Sequence, residues 1–122
     1  MTIHVFLDDR RPCPPGFVLA RTAEECILLL EECDVGVLSL DYDLGAGMPT
    51  GMDVVHAMIV RGKYPLEIYM HSSSPMGRAM MARTLRDAAP PHVRVSDGPM
   101  PEEVRRQAAA LAENRKGEDK QP

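Results

Sequence analysis

At 122 residues, 44% of them hydrophobic and 4% aromatic, the chain can bury roughly two thirds of its unfolded surface in one soluble core but is too short for two ordinary domains. Its 18 acidic against 14 basic residues, a net charge of −4, exclude a protein that grips long stretches of phosphate backbone, which needs a basic face; a single nucleotide or an RNA end stays open. Three cysteines, Cys13, Cys26 and Cys33, form no CxxC pair, so reduced thiols are expected rather than a disulfide framework or zinc knuckle, and without a signal-peptide h-region or an apolar run near ~20 residues the chain reads as cytoplasmic.

Residues 3–7 are short and apolar and stop at Asp8 and Asp9, which predicts a buried strand ending in a polar loop. Pro12, Pro14 and Pro15 forbid a helix over residues 10–16. A second strand is expected over 17–20. Thr22 then caps a helix to about Cys33, with Glu25 three positions on completing a capping box. The apolar run 35–40 predicts a central strand buried on both faces, ending at Asp41, Tyr42 and Asp43. After a loop over 45–49, Thr50 with Asp53 caps a helix that Gly62 terminates. Residues 66–70 make a fourth strand, followed by His71, Ser72, Ser73 and Ser74. Ser74 before Pro75 is an N-cap with proline at the first helical position, which predicts a helix to about Ala88. A short fifth strand over 93–95 precedes a last helix opened by Pro101 and carrying Val104, Ala108 and Leu111 to about Asn114. The charged residues 115–122 are expected as a disordered tail behind a domain spanning 1–114.

Strands alternating with helices predict an α/β domain of three layers around a mostly parallel five-stranded sheet, in the flavodoxin-like order 2-1-3-4-5. A parallel crossover normally takes a dozen or more residues, so the shorter, proline-rich link between the first two strands predicts an extended loop where the first helix would be shortened or absent.

In such a sheet ligands bind outside the carboxyl ends of the strands, and those ends carry the chemistry. Asp8, Asp9, Asp41 and Asp43 bring up to four carboxylates to adjacent strand ends, where they repel unless a cation or protons intervene. Mg²⁺ or Mn²⁺ suits such a site, although acids there also cap helices or pair with Arg10 and Arg11. His71, three serines and Gly77 sit at a helix start whose N–H groups attract anions, so Ser72, Ser73, Ser74 and Gly77 form a candidate phosphate site, with Arg10, Arg11 and Arg78 as the available cations and Arg10 and Arg78 assigned to it.

The acid pair, the aspartate after the third strand and the five-strand plan resemble the receiver domains of two-component signalling. Two substitutions depart from that pattern: His71 or Ser72 stands where receivers end the fourth strand with threonine or serine, and Val95, Ser96, Asp97 and Gly98 replace the stretch that carries their lysine. A closer resemblance, through Leu7-Asp8-Asp9-Arg10, the run from Leu38 to Gly45, Thr50-Gly51-Met52-Asp53 and the run from His71 to Gly77, is to the cyclic-phosphate processing receiver domains. It implies a phosphoesterase acting on cyclic phosphates of nucleotides or RNA ends.

On this reading Asp8 or Asp9 with Asp41 holds the metal, the serines and Arg10 hold the phosphate, and His71 transfers a proton. Asp41 as a nucleophile forming an acyl phosphate is the covalent variant. The expected partner is a small phosphorylated ligand or RNA end, with no duplex nucleic acid and no membrane. The alternative is a non-enzymatic receiver-like module, phosphorylated on Asp41 or binding a partner through its last helix.

Overall fold

The computed structural model describes residues 2–119, apart from the side chains of residues 115–119. The chain alternates β1 (Thr2–Leu7), β2 (Val18–Ala20), α1 (Ala23–Glu32), β3 (Asp34–Leu40), α2 (Gly51–Arg61), β4 (Glu67–Met70), α3 (Pro75–Ala88), β5 (Arg94–Val95) and α4 (Glu102–Asp119). The strands form one sheet in the order β2-β1-β3-β4-β5, every pair parallel. This is the receiver-like, flavodoxin-like order expected.

The helix starts follow local rules. Thr50 accepts the Met52 N–H while Asp53 accepts the Thr50 N–H, a reciprocal capping box. Ser74 accepts the Gly77 N–H ahead of Pro75, and Gly62 closes α2 in the left-handed region at φ 66°. At α1 the box is only half made: Thr22 accepts the Glu25 N–H, but the Glu25 carboxylate takes the N–H of Arg21 instead. Helix α4 continues through Asp119, past the expected end at Asn114, because a backbone ladder can extend without an apolar face to bury. Residues 120–122 of the expected tail lie outside the described residues.

Alternation along the strands divides the sheet into two unequal faces. Val5, Leu7, Leu38, Leu40, Ile68 and Met70 pack beneath α1, α2 and α3 in the main core. Each such fully buried side chain contributes about 1.5–3 kcal/mol. The opposite face carries Phe6, Val37 and Tyr69, covered by Met100 and by Val104 of α4, with Cys13, Phe17 and Leu19 beside them. The link over residues 8–17 forms no helix and takes part in that cover as an extended loop. It lies directly on α4, for a Cβ on Gly16, whose φ is +87°, would sit 2.3 Å from the Ala108 carbonyl oxygen.

The cysteines are unpaired, and burial pushes the Cys26 thiol up to about 12, which leaves it inert. No helix among the described residues is long and apolar enough to cross a membrane.

Candidate functional site

The three inner strands end level with one another. The N–H of Asp8 donates to Ala20 O, that of Asp41 to Leu7 O and that of His71 to Leu40 O, so each residue adds one rung beyond its strand. Two positions further back, Phe6 pairs with Ser39 and Ser39 with Tyr69. By alternation Asp8, Asp41 and His71 therefore stand on the same face as Phe6, Ser39 and Tyr69, the face covered by α4 and the loop. All three are withdrawn from solvent: Asp8 is 1% exposed, Asp41 5%, and the His71 side chain 6%.

Their hydrogen bonds form a chain that runs from Ser39 through His71, Asp8 and Arg11 to Asp41. Asp8 Oδ1 accepts the backbone N–H groups of Arg10 and Arg11, each at 2.8 Å. Asp8 Oδ2 lies 2.8 Å from Arg11 Nη1 and 2.9 Å from His71 Nε2. The other ring nitrogen, Nδ1, lies 2.7 Å from Ser39 Oγ, and the imidazole stacks on Phe6 with centroids 4.3 Å apart and planes 7° from parallel. Because an ionised carboxylate only accepts, Nε2 carries the proton toward Asp8, and in the neutral ring Nδ1 accepts from the serine. Burial lowers the His71 pKa against the opposing pull of Asp8, which favours that neutral form.

The two carboxylates are shifted in opposite directions. Burial alone would raise Asp8, but the hydrogen bonds from Arg11, Arg10 and His71 outweigh it and hold the group well below the usual carboxylate range. Burial raises Asp41, and the neighbouring Asp8 charge adds to the effect. Asp41 Oδ1 accepts the Tyr42 N–H at 2.8 Å, and Oδ2 lies 3.4 Å from Arg11 Nη1. The guanidinium of Arg11 thus bridges both acids.

Ligand atoms of Asp8, Asp41 and His71 lie within 4.8 Å of one another, a set that can hold a metal ion. With His71 protonated at Nε2, the two carboxylates are the ligands left, a pair that Mg²⁺ or Mn²⁺ accepts.

The other expected acids are not in this cluster. Asp43 is exposed and accepts the Gly45 N–H at 3.1 Å, while Asp9 Oδ2 lies near Gly45 as well. Arg10 contributes its backbone N–H and leaves its side chain in solvent, whereas the Arg11 side chain turns back onto the acids. At the start of α3, Ser72 accepts the Ser74 N–H, Ser74 caps the helix, Arg78 donates to the Ser72 carbonyl at 2.5 Å, and Ser73 is exposed. Ser74 and Arg78 thus hold the loop's shape, while the buried Ser72 side chain also hydrogen-bonds Asp41 and joins the loop to the cluster.

Gly77 serves packing, since a Cβ there would lie 2.5 Å from Tyr42 Cγ. Gly77→Ala is therefore expected to cost about 1–3 kcal/mol through overpacking and to lower Tm by several degrees, as thermal denaturation will measure. Substitution without loss would mean that Tyr42 moves aside freely.

A family model described as the cyclic-phosphate processing Receiver domain matches residues 3–87, more than half of the chain and all of the cluster. No curated protein and no solved structure matches the chain.

Proposed function

We propose, given that this chain belongs to the cyclic-phosphate processing receiver domain family, that its site hydrolyses a cyclic phosphodiester, such as the 2′,3′-cyclic phosphate of a nucleotide or RNA end. The observation that carries the reading is Asp41, a carboxyl group at the carboxyl edge of the sheet, on the face shared with Asp8 and with Oδ2 3.4 Å from the Arg11 guanidinium. Asp41 takes a proton from water as the new P–O bond forms and returns it to the ribose oxygen as the ring P–O bond breaks. One carboxyl group thus acts first as base and then as acid.

Arg11 offers a guanidinium fork to the phosphate oxygens. Arg10 and Ser73, both exposed beside the cluster, extend the anion-binding rim, and Ser72, Ser74, Gly77 and Arg78 fix the helix start behind it. Mg²⁺ or Mn²⁺ held by Asp8 and Asp41 supplies Lewis-acid polarisation of a phosphate oxygen when bound. His71 works one step back, with both ring nitrogens committed to Asp8 and Ser39, and keeps the Asp8 carboxylate aimed and ionised.

Purified protein incubated with 2′,3′-cyclic nucleotides and RNA bearing a 2′,3′-cyclic end, with and without Mg²⁺, should yield phosphomonoesters detectable by phosphorus NMR. Absence of product from the whole panel would remove the hydrolase reading. A long-lived aspartyl phosphate on Asp41 after treatment with acetyl phosphate would point instead to a non-enzymatic receiver-like module.

A further inference from the structure

We infer that Arg11 and a divalent cation are alternative occupants of the space between Asp8 and Asp41, so that metal loading releases the guanidinium. The inference rests on the metal-holding reading above and adds the competition. Arg11 Nη1 sits 2.8 Å from Asp8 Oδ2 and 3.4 Å from Asp41 Oδ2, the same carboxylate groups an ion would use. A carboxylate oxygen has two in-plane lone pairs, and those of Asp8 Oδ2 already receive hydrogens from Arg11 and His71. One donor must withdraw before an ion can bind that atom directly.

The two donors are unequally free to do so. The His71 side chain is 6% exposed and locked between Ser39 and Phe6, whereas the Arg11 side chain is 42% exposed and tied only at its tip. Its backbone N–H stays pinned to Asp8 Oδ1, so a released guanidinium remains beside the site, available to a phosphate. Arg11 is thus a resident counter-charge that keeps two adjacent buried carboxylates compatible until an ion takes over that role.

Calorimetric titration of MgCl₂ and MnCl₂ into the full chain tests this directly. Arg11→Gln should tighten divalent binding by about tenfold, since the competing ion pair is gone. Arg10→Gln makes the same change in net charge without that contact and should shift affinity by less than about threefold, as expected for a screened surface charge. An Arg11→Gln affinity equal to or weaker than wild type, or equal tightening in both variants, overturns the competition. Failure of both wild type and Arg11→Gln to bind either ion overturns the metal reading along with it. Should Arg11→Gln not fold, the wild type decides: the Arg11 side-chain N–H resonance must move on saturation with Mg²⁺, and a resonance that stays put overturns the exchange.

Discussion

Replacing Asp41 by asparagine is expected to reduce turnover of a cyclic phosphate by about two to four orders of magnitude, the usual contribution of a positioned proton-transfer group. Melting temperature should stay level or rise slightly. The amide oxygen still accepts the Tyr42 N–H, Arg11 keeps its shorter bond to Asp8, and a carboxylate disfavoured by burial and by the Asp8 charge is removed. The two measurements, made on one preparation, separate a chemical role from a structural one. Turnover at the wild-type level in a folded variant would sink the assignment of Asp41.

His71→Ala should have the larger effect on stability, about 2–4 kcal/mol and about 10 °C in Tm, because it removes the stack on Phe6 and two hydrogen bonds and leaves the Ser39 hydroxyl buried without its partner. Ser39, wholly buried, should couple to it: in a double-mutant cycle with Ser39→Ala the two losses should fall short of additivity. The pH dependence has a definite sign. The folded His71 pKa is lowered, so in EDTA the unfolded chain binds the extra proton first as pH falls below ~6.5, and the stability gap between wild type and His71→Ala narrows. A gap that widens on acidification would mean that the ring is held as imidazolium by Asp8.

Much of this molecule can be read locally. The Thr50 and Asp53 box, the Ser74 and Pro75 start and the Gly62 stop depend on residues within one turn of one another, and the strand order follows from alternating elements with a buried central run. The site could be read only to the edge of the sheet. Strand periodicity places Asp41 and Ser39 on one face, and a hydroxyl in an otherwise apolar run needs a buried partner, so Ser39 carried a signal for His71 that alternation makes visible.

Beyond the last paired residue that periodicity stops. Nothing regular distinguishes Arg10 from Arg11, or turns Asp9 and Asp43 toward Gly45. The distinction lies in the turn in which Asp8 Oδ1 accepts the N–H groups of the second and third residues after it, which brings the Arg11 side chain back over the acid.

The unequal covering of the sheet grades how the molecule breathes. Three helices bury the main core, while the opposite face is held by α4 and a loop with few large apolar anchors; Leu111 of α4 is itself 49% exposed. Sub-global opening is cheapest where the fewest apolar contacts are lost, so α4 is expected to detach at a free energy below that of global unfolding. Gly16 rests on Ala108, so the loop loses that support in the same event. Any coupling between the occupant of the carboxylate pair and the docking of the last helix runs through this loop and is reciprocal: the factor by which one changes the other is the same in both directions.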